Sequence, residues 1–286
     1  MNMPFENDLA RASDLIDQAD ALIVAAGAGM GVDSGLPDFR GNEGFWAAYP
    51  ALGRARLNFY EAASPTTFER DPRLAWGFYG HRLMLYRQTV PHAGFDILKR
   101  WGQGMRHGVF AFTSNVDGHF QKAGFDDNSI VEVHGSIHHL QCLARCRDAI
   151  WTAQDFQPVV DSQACRLLNA LPTCPHCGRL ARPNILMFDD VDWVEARQLQ
   201  QMERLQQWLE PVRHPVVLEL GAGTAIATVR HFSQDVIHDW GGRLIRINPT
   251  EYRVSDGLDV GLACGALEGM SVIDQYLKGL LDFAHL

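Results

Sequence analysis

Two patterns of hydrophobic residues alternate along the chain. From Leu9 to Ala19 the apolar residues recur at helical spacing, and an unbroken apolar run then extends from Ala21 to Ala26. The first pattern predicts an amphipathic helix and the second predicts a strand that is buried on both faces. Further strands of this kind are predicted at residues 109–113, 130–133, 215–220 and 243–247, and helical patterns such as residues 194–209 separate several of them. This alternation predicts an α/β fold with a Rossmann-like parallel sheet and helices on both faces.

Two stretches interrupt the alternation. Residues 41–91 contain no strand pattern but many aromatic residues, which predicts a helical insertion over the cleft at the strand ends. Residues 142–180 have an irregular pattern, and this segment is too short to form a hydrophobic core of its own. The predicted division is therefore a Rossmann-like domain of residues 1–40, 92–141 and 181–286, a helical insertion of residues 41–91, and a small module of residues 142–180. The last predicted helix has an apolar stripe at Val272, Ile273, Tyr276, Leu277 and Leu280.

Composition and charge narrow the classes of partner. The chain has 286 residues, with 25 Lys and Arg against 34 Asp and Glu and a formal net charge of -9. This excess of negative charge argues against non-specific binding of nucleic acid or anionic lipid. The longest apolar runs are far shorter than the roughly 20 residues that a membrane span needs, and the first residues do not resemble a secretory signal. We therefore expect no nucleic-acid partner, no membrane segment and a cytoplasmic location.

Four of the six cysteines fall in two close pairs. Cys142 and Cys146 form the first pair, and Cys174 and Cys177 form the second within a Cys-Pro-His-Cys-Gly turn. Four thiolates close a tetrahedral structural zinc site and leave no open position for catalysis. We predict one structural Zn²⁺ per chain, which would hold the small module together. His176 is an alternative ligand, but the geometry of the turn favours Cys177.

A glycine-rich loop follows the first predicted strand directly. Glycines stand at positions 27, 29, 31 and 35, so the backbone can approach a ligand closely. Such a loop between a strand and a helix is typical of nucleotide-binding sites. Taken alone it is a weak signal, because glycine-rich turns are common.

The residues after this loop make the signal specific. Residues 27–40 have the sequence Gly-Ala-Gly-Met-Gly-Val-Asp-Ser-Gly-Leu-Pro-Asp-Phe-Arg, which resembles the signature of the sirtuin family. Residues 113–118 (Thr-Ser-Asn-Val-Asp-Gly) and 132–136 (Glu-Val-His-Gly-Ser) are similar to two further sirtuin motifs. The resemblance continues to the last helix through residues 178–188, 223–225, 247–248 and 263–265.

This resemblance implies an NAD-dependent protein lysine deacylase. Such an enzyme releases nicotinamide and O-acyl-ADP-ribose from NAD and an acylated protein or peptide. His134 corresponds to the general base of the family, and its titration range suits that role. Asn115 and Asp117 correspond to residues that orient the carboxamide and the ribose, where positive charge develops as the glycosidic bond breaks.

The resemblance also assigns the cofactor site. Backbone amides of the loop at Gly27 and of Gly223 are suited to the pyrophosphate, and Asn248 is suited to the ribose hydroxyls. The complete predicted NAD site consists of Ala26, Gly27, Ala28, Gly29, Asp38, Phe39, Arg40, Ser114, Asn115, Asp117, His134, Gly221, Gly223, Thr224, Asn248 and Cys264.

Tyr79 and Arg82 carry a clue to the acyl group. They resemble the Tyr-x-x-Arg pair of sirtuins that remove succinyl or malonyl groups, and residues three apart share a helix face. Arg82 would hold the distal carboxylate and the Tyr79 hydroxyl would add a hydrogen bond. The alternative is an aromatic helix face with a solvated arginine. Met187 and Phe188 correspond to residues that line the acyl tunnel.

Three positions depart from the family pattern. Ser114 stands where glutamine is usual, Ala225 where serine is usual, and Asp189 where glycine is usual. Each of the first two changes removes one hydrogen bond, worth about 0.5–1.5 kcal/mol, so NAD binding is still expected. Asp189 lies on the strand with which the family pairs its substrate peptide. With aspartate at this position, the substrate could be a basic peptide or a small acylated amine. The reaction could also be transfer of ADP-ribose instead of deacylation.

Other functions compete with the deacylase. Residues 217–224 resemble the first motif of S-adenosylmethionine-dependent methyltransferases, but too few residues follow to complete such a domain. An ADP-ribosyltransferase, an NAD hydrolase and a non-catalytic NAD-binding sensor remain alternatives. Asn115, Asp117 and His134 favour an enzyme over a sensor. We expect His138 and His139 to be loop histidines.

Overall fold

The computed structural model of the protein describes residues 6–37 and 41–279. In chain order its strands are β1 Ala21–Ala26, β2 Val109–Thr113, β3 Ile130–Glu132, β4 Gly135–Cys142, β5 Ile150–Thr152, β6 Val160–Asp161, β7 Arg166–Leu167, β8 Ala181–Ile185, β9 Pro215–Leu220, β10 Arg243–Ile247 and β11 Val260–Leu262. Its α-helices are α1 Glu6–Asp17, α2 Gly41–Ala48, α3 Pro50–Arg54, α4 Phe59–Ala62, α5 Pro65–Arg70, α6 Pro72–Gln88, α7 Gly94–Gly104, α8 His119–Lys122, α9 Ala196–Leu209, α10 Thr228–Trp240 and α11 Ala266–Leu277. Two 3₁₀ helices span Ala28–Ser34 and Asp127–Ser129.

Six strands form a parallel sheet in the order β11-β10-β9-β1-β2-β3. The chain runs outward from β1 through β2 to β3, and later returns to the other side of β1 for β9, β10 and β11. The Rossmann-like parallel sheet is confirmed. The strand order therefore reverses at β1, although β1 and β9 are parallel. Such a reversal opens a crevice at the carboxyl ends of the two strands, where α/β proteins bind ligands. The short strand β11 was not predicted.

Helices cover both faces of this sheet. Leu22 and Val24 of β1 pack with residues of α1, α7 and α11, whereas Ile23 and Ala25 pack with residues of α9 and α10. Alternate side chains of a strand point to opposite faces, so an unbroken apolar run is what a doubly covered strand requires. The predicted stripe of the last helix lies on α11, except for Leu280, which falls outside the described residues.

A second, antiparallel sheet lies outside the parallel one. Strand β4 pairs with β5 on one side and with β8 on the other, and β6 pairs with β7 as a separate ribbon. The expectation of an irregular segment at residues 142–180 is therefore wrong, because β5, β6 and β7 lie within it. These strands have only two or three residues, too few to show an alternating pattern. Strands β4 and β8, which the predicted boundaries give to the Rossmann-like domain, belong to this second sheet.

Helices α2 to α6 occupy residues 41–91, where a helical insertion is predicted. Aromatic side chains from these helices form one hydrophobic core with Ile137 and Leu140 of β4 and Ile185 of β8. The Trp76 Nε1 of α6 donates a hydrogen bond to the Ala181 carbonyl of β8 at 2.9 Å. The helices and the second sheet thus pack as one unit. Within the described ranges, no helix has both the length and the apolar character of a membrane span.

Candidate active site

A cavity of about 590 Å³ lies between the parallel sheet and the unit of inserted helices and second sheet. The loops after β1, β2 and β9 supply one side, and α6 with the segment after β8 supplies the other. Predicted site residues that line it are Gly27, Ala28, Tyr79, Arg82, Ser114, Asn115, Asp117, His134, Met187, Phe188, Gly221 and Gly223. One cavity therefore brings together most of the residues that the sequence places in the cofactor and acyl sites.

The cofactor end of this cavity is made of backbone. The Gly29 amide donates to the Gly221 carbonyl at 3.0 Å, which joins the loop after β1 to the loop after β9. A Cβ at Gly29 would lie 2.6 Å from the Gly221 Cα, and Gly221 has a φ of 58°. Only glycine fits either position, because a side chain would clash at the first and strain the backbone at the second. The glycines at these positions are thus explained by the close approach of the two loops.

Asn115 and Asp117 follow β2 and line the cavity. The Asn115 Nδ2 donates to the Gly27 carbonyl at 2.9 Å, which fixes the orientation of this amide. The Asp117 Oδ1 accepts a hydrogen bond from the His119 amide at 2.9 Å. Burial raises the pKa of the Asp117 carboxyl above its usual value. The cavity therefore contains an oriented amide and a buried carboxyl group side by side.

His134 lies between β3 and β4 on the cavity wall. Burial lowers the pKa of its imidazole, and a hydrogen bond with the Ser114 backbone opposes part of this shift. The ring is therefore neutral near pH 7 and can accept a proton. Its Nε2 lies 3.3 Å from the Thr228 hydroxyl at the start of α10. Sequence reasoning missed Thr228, since no motif connects it to His134.

Arg82 of α6 lines the same cavity, in the part that the sequence assigns to the acyl group. Its side chain is buried, and its guanidinium carbon lies 5.2 to 5.6 Å from the ring centres of Phe78, Tyr79 and Tyr86. The Arg82 Nε donates to the Tyr86 hydroxyl at 3.0 Å. The alternative of a solvated arginine on an aromatic helix face is therefore wrong. Tyr86 was missed, although its position four residues after Arg82 on a helix is a usable signal.

Met187 and Phe188 come directly after β8 and line the acyl end. The Phe188 ring lies 4.3 Å from that of Tyr60, and the Phe188 amide donates to the Ala63 carbonyl at 3.0 Å. Asp189 has a φ of 54°, in the left-handed region where glycine is usual and aspartate is tolerated. Its exposed carboxylate stands where the sirtuin pattern has glycine, on a backbone conformation that glycine also adopts.

The fully buried ion pair of Arg182 and Asp190 holds this acyl segment in place. The Arg182 guanidinium donates from both of its terminal nitrogens to the two oxygens of the Asp190 carboxylate. The Met187 amide also donates to the Asp190 Oδ2, at 3.2 Å. Side-chain hydrogen bonds thus connect the segment after β8 back to β8 itself.

Several predicted cofactor residues do not line the cavity. Asn248 is buried behind its wall, where Nδ2 donates to the Ala222 carbonyl at 3.0 Å and Oδ1 accepts from two backbone amides. The other predicted residues outside the lining are Ala26, Gly29, Thr224 and Cys264. Asp38, Phe39 and Arg40 lie outside the described residues. The contact of these residues with a cofactor stays a prediction.

His138 and His139 belong to β4, so the expectation of loop histidines is wrong. The His138 Nε2 donates to the Asp117 carbonyl at 2.9 Å, which ties the strand to the segment after β2. The pairing of β4 with β8 shifts register between Ser136 and Leu140. Such an irregularity breaks the alternation of apolar and polar residues that marks a strand in a sequence.

The four paired cysteines come together at one end of the second sheet. All four Sγ atoms lie within 4.8 Å of one another. The Cys142–Cys177 and Cys146–Cys174 sulfur distances are 3.7 and 3.6 Å. Four sulfurs at about 2.3 Å from a tetrahedral zinc would be about 3.8 Å apart, whereas a disulfide needs about 2.05 Å. The cluster fits a structural zinc ion held by four thiolates, and His176 is not part of it.

The model of the Sir2 family matches residues 27–209, which is more than half of the chain. The protein therefore belongs to the Sir2 family, the sirtuins, as the sequence motifs predict.

Relatives and solved structures agree with this assignment. The chain is 28% identical over 276 residues to a protein named NAD-dependent protein deacylase from Thermococcus kodakarensis, covering 96% of this chain and 97% of that protein. It is 27% identical over 278 residues to the NAD-dependent protein deacetylase of Caldivirga maquilingensis, covering 95% and 94%. A crystal structure of a Sir2 homologue with NAD has a TM-score of 0.69 at 22% identity and covers 96% of this chain and 95% of its own. The two proteins share their fold.

Proposed function

We propose that the protein is an NAD-dependent protein lysine deacylase that releases nicotinamide and O-acyl-ADP-ribose. The observation that carries this proposal is one cavity lined by the glycine loops, a neutral buried histidine and a buried arginine. Relatives named NAD-dependent protein deacylase, of nearly the same length as this chain, support it. The substrate is then an acylated protein or peptide, with no role for nucleic acid, and the location is cytoplasmic.

The cofactor end suits NAD. The loops at Gly27 and Gly221 bring backbone close to the cavity without side chains, which suits a pyrophosphate. The Asn115 amide, held by the Gly27 carbonyl, would orient the carboxamide. The Asp117 carboxyl would stabilise positive charge on the ribose while nicotinamide leaves. Bound NAD supplies the anomeric carbon at which the acyl oxygen attacks.

His134 would act as the general base. Its neutral imidazole lines the cavity and can take a proton from a ribose hydroxyl. The hydroxyl oxygen would then bond to the acyl carbon, and the bond from this carbon to the lysine nitrogen would break as the amine leaves. One water molecule, admitted after the amine has left, would complete the release of O-acyl-ADP-ribose. The Thr228 hydroxyl at 3.3 Å would help to hold the ring in position. Met187, Phe188 and Tyr60 would exclude water from the acyl group. Exclusion of water favours deacylation over simple hydrolysis of NAD.

The acyl end suits an acidic acyl group such as succinyl or malonyl. The buried Arg82 cation lies among the rings of Phe78, Tyr79 and Tyr86, and it lines the same cavity as Met187 and Phe188. A carboxylate brought in on an acyl chain would gain a charge-assisted hydrogen bond in surroundings of low polarity. A simple acetyl group would not reach this charge, so we propose a preference for acidic acyl groups.

Mass spectrometry of the products from NAD with matched acetyl-lysine and succinyl-lysine peptides tests both proposals. The variants are His134→Ala, Arg82→Met, and the control Arg70→Met, which removes an exposed arginine of the same insertion. We expect O-succinyl-ADP-ribose from the wild type, no product from His134→Ala, and loss of the succinyl preference in Arg82→Met alone.

Four results would contradict these expectations. Free ADP-ribose without an acyl adduct would indicate an NAD hydrolase, and ADP-ribosylated peptide would indicate a transferase. Binding of NAD without turnover would indicate a sensor. An acetyl preference that Arg82→Met leaves unchanged would overturn the acidic-acyl proposal while the deacylase itself stands.

A further inference from the structure

A second cavity of about 560 Å³ lies beside the first. Tyr86 and Asp117 line both cavities and form part of the wall between them. The remaining lining of the second cavity comes from the end of α6, from Gly118 and α8, from the 3₁₀ helix that begins at Asp127, from β4 and from α9. None of the other residues that line it belongs to the proposed cofactor or acyl sites. The cavity therefore has no role in the reaction proposed above.

Cationic side chains dominate this lining. The residues Arg87, Lys122, Arg197 and Arg204 face two carboxylates, the buried Asp117 and the exposed Asp127. Glu132 forms an ion pair with Arg197. Arg87 donates to the carbonyls of Phe156 and Ala153, and Lys122 donates to those of Arg87 and Thr89. Neutral carbonyl oxygens hold these two side chains in position but do not neutralise their charge.

Three buried polar atoms of the lining residues make no hydrogen bond within the described part of the chain. They are the Arg204 Nε of α9, the His139 Nδ1 of β4 and the Gln121 Oε1 of α8. A buried polar group without a partner is costly, so such atoms usually meet a water or a ligand. Polar atoms without a partner thus occur on three elements around one cavity, whose lining also carries four cationic side chains.

The arrangement of donors narrows the chemistry of a ligand that would fit this cavity. Arg197, Gln201 and Arg204 recur at spacings of four and three on α9, so they share one face of the helix. The ammonium of Lys122 and the guanidinium of Arg87 come from two other elements. Arginine and lysine together suit the several oxygens of a phosphoryl group, and its protonated oxygen or an attached hydroxyl can donate to Gln121.

We propose that the second cavity binds a small phosphate-bearing anion. Its volume lies within the range of about 300–1,000 Å³ of small-molecule sites, so it holds more than a bare phosphate ion. The proposal does not depend on the deacylase activity, because binding is measured without NAD or acyl peptide.

Calorimetric titration of the full chain with inorganic pyrophosphate at constant ionic strength tests this proposal. The variants are Arg204→Gln, Gln121→Glu, and the control Arg106→Gln, which removes an equal charge from an exposed arginine in the turn after α7. We expect Arg204→Gln to weaken one binding site about tenfold or more, because a charge-assisted hydrogen bond is lost. Gln121→Glu should abolish binding at that site by repulsion, and Arg106→Gln should change the affinity less than about twofold.

Thermal unfolding verifies that each variant is folded before titration. Absence of pyrophosphate binding to the wild type would overturn the proposal. Equal affinities of wild type, Arg204→Gln and Gln121→Glu would also overturn it, since pyrophosphate would then bind elsewhere, for example at the glycine loops.

Discussion

The two ends of the main cavity are built from different parts of the chain. Backbone of the loops after β1 and β9 forms the cofactor end, where Gly29 and Gly221 touch. Side chains of α6 and of the segment after β8 form the acyl end, where Arg82 packs among aromatic rings. The shape of a binding surface made of backbone is set by the fold and changes little with substitutions. The shape and charge of a binding surface made of side chains change with each substitution. We therefore expect the choice of cofactor to depend on the fold and the choice of acyl group to depend on individual residues.

The two ends also depend on different sources of stability. The cofactor end is attached to the parallel sheet, whose core is apolar on both faces. The acyl end is attached to the second sheet, whose strands β4 and β8 meet at the cysteine cluster. Cys142 ends β4, and Cys174 and Cys177 precede β8. Metal binding should therefore matter more to the acyl end than to the cofactor end.

Removal of zinc should have the largest effect. Because structural zinc contributes folding free energy directly, a chelator or Cys174→Ser should disorder the ends of β4 and β8 and lower deacylation at least about 100-fold. Binding of ADP-ribose should change less than about threefold, since the parallel sheet does not use the metal. Metal analysis, deacylation assays and calorimetry with ADP-ribose measure these effects, and Cys165→Ala, outside the cluster, is the control. Parallel loss of ADP-ribose binding would show that the two ends are not independent.

Gly29→Ala should damage the cofactor end. The new Cβ would lie 2.6 Å from the Gly221 Cα, so the two loops must separate. We expect a loss of about 1–3 kcal/mol in the free energy of unfolding and at least tenfold weaker NAD binding. Denaturant unfolding and calorimetry measure both. Gly257→Ala is a matched control, because no atom lies within 4 Å of its Cβ position. Equal effects of the two variants would argue against the close approach of the loops.

The pH dependence of turnover should follow the neutral form of His134. Burial lowers the pKa of this imidazole below its usual value of 6.5, so the base stays neutral and active at pH 6.5 and above. As pH falls below the lowered pKa, the ring takes up a proton and kcat/KM should drop about tenfold per pH unit. Rates measured between pH 4.5 and 8 check this expectation. A decline that begins above pH 6.5 would contradict it.

Tyr79→Phe should change acyl selectivity alone. Tyr79 is fully buried beside Arg82, and burial raises the pKa of its phenol to about 12, so the hydroxyl stays a neutral donor. Loss of one hydrogen bond to the acyl carboxylate should lower the succinyl-to-acetyl ratio of kcat/KM about fivefold, with KM for NAD unchanged. Competition assays with both peptides measure the ratio, and Tyr252→Phe, away from the cavity, is the control. A change in KM for NAD would place Tyr79 outside the acyl end.

Substitutions of Asp189 should have the smallest effect. Its φ of 54° costs a side chain more than it costs glycine, so Asp189→Gly should raise the free energy of unfolding by up to about 1 kcal/mol. Asp189→Ala should lower it, because alanine lacks the short polar group that tolerates this conformation. Urea unfolding distinguishes the two variants. The same change in both would mean that the conformation of this loop does not matter for stability.

The amino-acid sequence alone was sufficient for five of the six strands of the parallel sheet, for the glycine loops and for the cysteine cluster. Unbroken apolar runs identify strands that are covered on both faces, and the runs at residues 109–113, 215–220 and 243–247 match β2, β9 and β10. The spacing of the cysteines was likewise sufficient, because the two members of each pair are only three or four residues apart in the chain. Apolar runs and cysteine spacing are local patterns, so they predict strands and ligand pairs that are formed by residues close together in the chain.

Tertiary structure alone decided the rest. The second sheet joins β4 and β8 across about 40 residues with a register shift, so its strands show no regular alternation. The contact of Thr228 with His134 depends on how α10 packs beside the segment between β3 and β4, and no motif announces it. The same holds for the second cavity, where α6, α8, β4 and α9 converge on Asp117. The burial and pKa of a site residue, and the walls of a cavity, depend on residues that are distant in the chain. Only folding brings these residues together.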